Sequence, residues 1–291
     1  MKNRQKWLII TAITVIFGLV VSACDNGGNA HTHDWGGWTE TTAATCSAKG
    51  VETRTCSGCG ETETQDISAG HDWNKTLETI SEGVEAITCK RVNCNEKKDY
   101  AFQYAIGDTG PAGGIIFYVA DDTDGRSDGI TIQGYTGATG SFAQYTAYYL
   151  EAAPANTAES GIKWSNTNVY IPNLSLFSDT TDWAIGRGRL NTAIIAAAHS
   201  SDTTANNAAK AAAAYSNGGK DDWFLPSREE LNQMSIIRSY VSLTTGFFWS
   251  SSQSNANAAW YQYFFNDGYN DGGRSDDGKF NTLFVRAIRA F

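Results

Sequence analysis

Residues 104–119 read YAIGDTGPAGGIIFYV, a glycine-rich turn that runs into an unbroken apolar stretch. Gly107 to Gly114 include no lysine and no helix pattern follows, so this is not a phosphate-binding loop. Two Gly-x-y triplets are far too few for collagen. What remains is a tight turn feeding a buried strand, Ile115–Val119. Toward the C-terminus, residues 188–215 are alanine-rich and helical, with a break near Ser200–Thr204. WFLPSREE (223–230) opens a further helix: Ser227 and Glu230 form a capping box, and Leu231, Met234, Ile237 and Val241 supply the apolar face. Strand-like runs follow at Phe247–Ser251, Ala258–Phe264 and Phe284–Phe291. Two or three helices among short, mostly antiparallel strands predict an α+β domain.

The other end of the chain predicts location. Lys2, Arg4 and Lys6 form a basic region, and Trp7–Val21 is apolar but short for a membrane span. Val21-Ser22-Ala23-Cys24 matches a bacterial lipobox, in which the cysteine is acylated and becomes the new N-terminus. Residues 1–23 are therefore expected to be a lipoprotein signal peptide, Cys24 the lipidation site and residues 24–32 a tether. A protein held this way sits in the cell envelope, on its outer surface, contacting the membrane through its lipid anchor. Cleavage leaves 19 of the 22 basic residues against 31 acidic ones, a net charge of −12. That balance argues against nucleic acid as a partner.

Cysteine usage divides the mature chain. Beyond Cys24 the thiols are Cys46, Cys56, Cys59, Cys89 and Cys94, and His31, His33 and His71 share their region. Residues 33–99 form a degenerate repeat. His33-Asp34-Trp35 recurs as His71-Asp72-Trp73, and GVETRTC (50–56) recurs as GVEAITC (83–89). Each copy is too small to bury a core, so something must staple it. His33, Cys46, Cys56, Cys59 and His71 are the candidate ligands of one structural zinc, with Cys56-x-x-Cys59 as its knuckle. In the second copy Thr79 stands where Cys46 stood, and the pair widens to Cys89-x4-Cys94. That copy is not expected to bind metal. Disulfides are the rival reading, since an exported protein meets oxidising conditions. Five thiols cannot all pair within one chain, however, and disulfides leave the histidines unexplained. Under either reading the module is a stalk.

The runs YAIGDTGPAGGIIFYV, LEAAP (150–154), GIKW (161–164), DDWFLPSREELNQM (221–234), FWSSS (248–252) and VRAIRAF (285–291) occur in that order. Through them, residues 104–291 resemble the DUF1566 family, the C-terminal domain of Lcl-type adhesins. The resemblance implies a C-type-lectin-like, formylglycine-generating-enzyme-like fold in which the first and last strands pair, here Ile115–Val119 with Val285–Phe291. It also implies kinship with treponemal variable lipoproteins, whose surfaces are rewritten by diversity-generating retroelements acting on adenines, chiefly in Asn codons. Such changes cannot yield Lys, Glu, Gln, Trp or Met. In residues 261–283 only Gln262 and Lys279 belong to that unreachable group.

The same stretch has the vocabulary of binding loops, with aromatics for contact area and Asn, Ser and Gly for adaptable hydrogen bonds. The expected ligand-binding residues are Tyr261, Tyr263, Phe265, Asn266, Asp267, Tyr269, Asn270, Asp271, Arg274, Ser275, Asp276, Asp277 and Phe280, within a variable region of about 260–283. Alternation places Tyr261, Tyr263 and Phe265 on one face. The expected partner is a protein or surface molecule of another cell.

Two rivals stand beside this reading. A calcium-dependent lectin would use Asp267, Asp271, Asp276 and Asp277 as hard oxygen ligands, but neither Glu-Pro-Asn nor Gln-Pro-Asp occurs. An enzyme of the formylglycine-generating type needs a cysteine pair in the large domain, which has no cysteine and a single histidine, His199. His199 is expected on a helix surface or between helices. Asp221-Asp222 and Glu229-Glu230 are expected to be solvated turn or helix-start charges, and no catalytic residue is assigned.

Overall fold

A computed structural model describes residues 32–120, 129–137, 139–174, 183–201, 207–241, 245–265 and 272–291. The expected signal peptide, Cys24 and almost all of the tether lie outside the described residues. Among these residues no helix is long and apolar enough to cross a membrane. The chain divides into two compact units. The first runs to Trp73 and takes back Cys89–Asn95, and the second comprises Asn74–Thr88 and Glu96–Phe291. The division expected between residues 99 and 104 is therefore displaced, because most of the second repeat copy folds with the large unit.

The first unit holds β1 (Thr39–Thr42), β2 (Gly50–Thr55) and β3 (Thr62–Ile67) in one antiparallel sheet of order β1-β2-β3. Its strands are largely exposed or half-buried. Apolar burial contributes little here, as expected for so small a module. In its place the Arg54 guanidinium lies over Trp35 and Trp38, 5.1 and 4.6 Å from the ring centres.

The second unit begins with β4 (Glu78–Ser81), β5 (Val84–Thr88) and β6 (Lys97–Phe102), a second antiparallel sheet. Here the repeat has turned apolar. Val84, Ile80, Tyr100 and Phe102 pack with Ile116, Tyr148, Tyr149 and Phe291, and the Tyr149 hydroxyl donates to the Gly83 carbonyl at 2.9 Å.

The chain continues through β7 (Ile115–Val119), β8 (Ile130–Ile132), β9 (Tyr135–Gly137), β10 (Gly140–Phe142), β11 (Tyr145–Ala147), β12 (Tyr149–Ala152) and β13 (Ala158–Lys163). The helices follow as α1 (Gly188–Ala198), α2 (Ala208–Ala213), α3 (Arg228–Ile236) and α4 (Arg238–Val241). The last strands are β14 (Gly246–Gln253), β15 (Ala258–Phe264), β16 (Arg274–Gly278), β17 (Thr282–Val285) and β18 (Ile288–Ala290). A three-stranded sheet has the order β18-β12-β7, and a five-stranded sheet has the order β13-β17-β14-β15-β16. Short helices among this many strands make the fold mainly β. One core joins Phe117, Leu150, Leu231, Met234, Phe248 and Ile288; another joins Trp164, Ile195, Trp223, Leu225, Trp249 and Val285.

Two expectations about the ends of the large unit are corrected. The first and last strands do not pair with each other, because β12 lies between β7 and β18 and bonds to both. The closing FVRAIRAF is not one strand either. It breaks at Arg286-Ala287, sending β17 and β18 into different sheets, while Arg286 donates to the Ala153 carbonyl at 2.7 Å.

β12 is central because of Glu151, whose side chain is fully buried. Its carboxylate accepts the Gly114 and Ala112 amides at 2.7 and 3.1 Å and the Arg289 guanidinium at 3.2 Å. Arg289 also donates to Asp222 at 2.9 Å. The glycine turn, LEAAP, Asp222 and the last strand thus meet in one polar knot centred on the buried Glu151 and Arg289. Gly114 is required there, since a Cβ would fall 2.1 Å from the Ala152 carbonyl oxygen.

The capping box forms as expected: the Glu230 amide donates to Ser227 Oγ at 3.2 Å and the Ser227 amide to the Glu230 carboxylate at 2.7 Å. Glu230 is not a solvated charge. It is fully buried, also accepts the Gly186 amide at 2.8 Å, and desolvation raises its pKa to about 7 despite these bonds. Asp222 is half-buried and paired with Arg289 rather than freely solvated, whereas Asp221 is exposed as expected.

Candidate metal centre and the β14–β16 face

The thiols and imidazoles of the first unit converge in two groups. Cys46, His71, Cys89 and Cys94 form one, and His33, Cys56 and Cys59 form the other; within each group the donor atoms lie within 4.8 Å of one another. All five described cysteines are free thiols, so no disulfide forms among the described residues. The single site expected from His33, Cys46, Cys56, Cys59 and His71 is corrected. Cys46 and His71 belong with Cys89 and Cys94, the pair whose spacing does not suggest a metal site.

Spacing in the four-membered group matches a tetrahedral ion. Zn–S bonds of about 2.3 Å and Zn–N bonds of about 2.0–2.1 Å place neighbouring sulfurs about 3.8 Å apart and a sulfur and nitrogen about 3.6 Å apart. Cys46 Sγ and Cys89 Sγ are separated by 3.8 Å, and Cys94 Sγ and His71 Nδ1 by 3.4 Å. A disulfide would need about 2.05 Å. This cluster is placed to bind a metal such as zinc, as a closed three-thiolate, one-imidazole site.

Local structure explains the convergence. The Gly70 amide donates to the Thr45 carbonyl at 3.3 Å, which brings the Cys46 turn beside His71. That turn is held by the Ser47 and Ala48 amides on Thr45 Oγ1. The wider Cys89–Cys94 loop closes through Asn93, which takes a left-handed backbone (φ 63). Without metal the thiols share their protons unequally. The bond to Cys94, burial and Cys89 push Cys46 up to about 12. Burial opposes ionisation of Cys89, yet the Arg91 backbone, His71 and Cys94 draw it down to about 6. A bound cation would deprotonate all three thiols. Cys89 and Cys94 were missed for their spacing, although His71-Asp72-Trp73 repeats the first knuckle's signature and could have revealed them.

In the large unit, Asn266, Asp267, Tyr269, Asn270 and Asp271 lie outside the described residues. The described candidates do not share one face. Pairing of Tyr261 with Trp249 and Ser275, and of Tyr263 with Phe247, puts Tyr261, Tyr263, Phe265, Ser275 and Asp277 on one side. Phe247, absent from the expected set, joins them. Its ring meets those of Tyr261, Tyr263 and Phe265 edge-on at 5.5, 5.3 and 5.1 Å. The Tyr261 hydroxyl donates to that of Tyr263 at 3.1 Å, and desolvation and this neighbour push Tyr261 up to about 12.

Arg274 and Asp276 alternate onto the other side. Arg274 pairs with Glu229 at 2.6 Å, and Asp276 accepts from Ser254 Oγ at 2.6 Å. Trp260, on that side, clasps Arg228 against Trp183, each ring centre 4.1 Å from the guanidinium. Phe280 is exposed at the β16–β17 turn, with the Lys163 ammonium 5.7 Å from its centre. Asp276 and Asp277 therefore project to opposite faces, which speaks against their sharing one calcium ion. His199 is buried, 3.0 Å from Ser165 Oγ through Nε2.

Gln262 and Lys279 behave unlike their neighbours. Both are buried, at 1% and 0% exposure. Gln262 donates to the Gly272 carbonyl, and Lys279 Nζ donates to the Val169 carbonyl at 2.9 Å and to Gln253 at 2.7 Å. Desolvation lowers the Lys279 pKa from 10.5 to about 8. Between those values the unfolded chain holds the proton and the folded one does not, so this residue makes stability rise with pH in that window. In urea unfolding, wild type should gain on Lys279→Met as pH rises from 8 to 10. A constant difference would mean that the ammonium is not desolvated.

No family model and no curated protein matches the chain. Among solved structures it is similar to a fimbrial protein from Bacteroides ovatus ATCC 8483, with 13% identity and a TM-score of 0.41, covering 84% of this chain and 57% of that one. The chain thus spans little more than half the length of that protein, and a likeness this distant carries no argument.

Proposed function

We propose that the chain is a lipid-anchored cell-surface protein of the DUF1566/Lcl type, with a C-type-lectin-like domain that binds its ligand through a diversified surface of about residues 260–283, carried on β15 and β16. One observation carries this reading. Within residues 261–283, the two residue types that adenine-directed change at Asn codons cannot produce are Gln262 and Lys279, and both are buried and bonded into the scaffold. Around them Tyr261, Tyr263, Phe265, Ser275 and Asp277 are partly open on one side. A surface rewritten at random tolerates change only where side chains do not hold the fold. Rigid aromatics beside Asn, Ser and Gly suit ligand capture. The metal-bearing ribbon serves as the stalk.

The test is to resequence the last coding stretch in a passaged population. Substitutions should cluster at adenines between codons 261 and 283 and spare Gln262 and Lys279, with a near-copy of the stretch beside a reverse transcriptase gene. A uniform substitution rate would leave a fixed adhesin.

Anchoring has its own test. Palmitate labelling should mark the wild type, and Cys24→Ser should abolish both the label and membrane retention. Retention of the serine variant would point to an uncleaved N-terminal segment.

A further inference from the structure

We infer that the first unit binds two metal ions and that its closed centre is built across the repeat, taking Cys46 from the first copy and His71, Cys89 and Cys94 from the second. The second ion sits at His33, Cys56 and Cys59. The two knuckles carry the same bonding pattern. Trp35 bridges to Cys56 as Trp73 does to Cys89. The Ser57 amide donates to the Asp34 carbonyl at 2.9 Å, as the Lys90 amide does to that of Asp72 at 2.7 Å. Each histidine lies against the tryptophan two residues on, with ring centres 4.7 and 4.8 Å apart. Each presents Nδ1 to the second cysteine of its pair, at 3.6 Å in the first knuckle and 3.4 Å in the second. The 3.6 Å spacing equals the sulfur–nitrogen edge of about 3.6 Å that a tetrahedral zinc imposes.

His33 has a further feature of a ligand. Its Nε2 lies 3.7 Å from the Glu61 carboxylate, on the ring edge away from the thiols. At that distance the carboxylate is not hydrogen-bonded to the ring, but its negative charge favours the N–H at Nε2, leaving Nδ1 to ligate. The described residues give this centre three donors, against four at the other. The second copy has no counterpart of the Cys46 turn: Glu82 and Gly83 join β4 directly to β5, and Thr79, opposite Glu85, holds the place of Glu40, opposite Glu52. After that copy the chain enters the large unit, so no knuckle remains for such a turn to serve.

Metal content of the full chain, purified reduced and loaded with zinc, separates the possibilities. Wild type should hold two zinc ions, and Cys59→Ser, Cys46→Ser and Cys94→Ser one each. The double variant Cys46→Ser/Cys94→Ser should still hold one, whereas Cys46→Ser/Cys59→Ser should hold none. Cobalt(II) substitution keeps the test decisive if a variant is poorly folded. The ion kept by Cys46→Ser/Cys94→Ser should show thiolate-to-cobalt absorption that Cys59→Ser then abolishes. One zinc in the wild type, or none in Cys46→Ser/Cys94→Ser, would overturn the proposal.

Discussion

Stripping the metal from the full chain with a chelator is expected to unfold the β1–β3 ribbon and the Cys89–Asn95 knuckle. Those strands bury too little apolar surface to stay ordered alone. A structural zinc in a site of this kind contributes about 10–16 kcal/mol at neutral pH, and that binding energy is folding energy because the unfolded chain has no preformed site. Amide exchange is the appropriate measure. Amides of β1–β3 should lose their protection on chelation, while those of β12 and β18 keep theirs. Acidification should act in the same direction, since protons compete with the metal for thiolates and imidazoles. Cys94→Ser should reproduce the loss around its own knuckle, contrary to the sequence-based expectation that the widened pair is idle. Full protection of β1–β3 after complete metal removal would mean that side-chain packing, such as Arg54 on Trp35 and Trp38, holds the ribbon unaided.

The residue types of this centre are legible in the sequence, and their grouping is not. His, Cys and a short gap between thiols mark metal chemistry wherever they occur. Which histidine meets which thiol depends on the Gly70 amide reaching the Thr45 carbonyl across 25 residues, a contact with no local signature. The same limit runs through the large unit. The capping box at Ser227 and Glu230 is local and forms as its pattern predicts. Alternation along β15 puts Tyr261, Tyr263 and Phe265 together, but Phe247 comes from a neighbouring strand that periodicity cannot register. FVRAIRAF reads as one strand because its residues are uniformly strand-forming. Only the demand of Glu151 for Arg289, with Arg286 bonded to Ala153, breaks it between two sheets. Lys279 has the opposite lesson. A lysine in a polar loop reads as solvated, yet a 4.8 Å approach to the Trp164 ring and two hydrogen bonds put it inside.

The polar knot around Glu151 should be the most sensitive point of the large unit. Replacing Glu151 with alanine removes the one fully buried anion beside Arg289, itself 3% exposed, leaving it the more exposed Asp222 and Glu82, and deprives the buried Ala112 and Gly114 amides of their acceptor. Removing one partner of a buried ion pair costs about 3–5 kcal/mol, because the remaining charge is neither solvated nor neutralised. Each orphaned amide adds to this through its own lost hydrogen bond. Glu151→Ala should therefore lower the free energy of unfolding in denaturant by several kcal/mol, with Glu151→Gln less damaging because it keeps an acceptor for the amides. The Arg274–Glu229 pair is an internal control. It is shorter, at 2.6 Å, but about a third of each side chain is open to solvent, and exposed pairs contribute about 0–1 kcal/mol. Arg274→Ala should accordingly be close to neutral for stability. If Glu151→Ala proved as mild as Arg274→Ala, the glycine turn and last strand would be held by apolar packing alone, and the knot would not explain why β12 lies between β7 and β18.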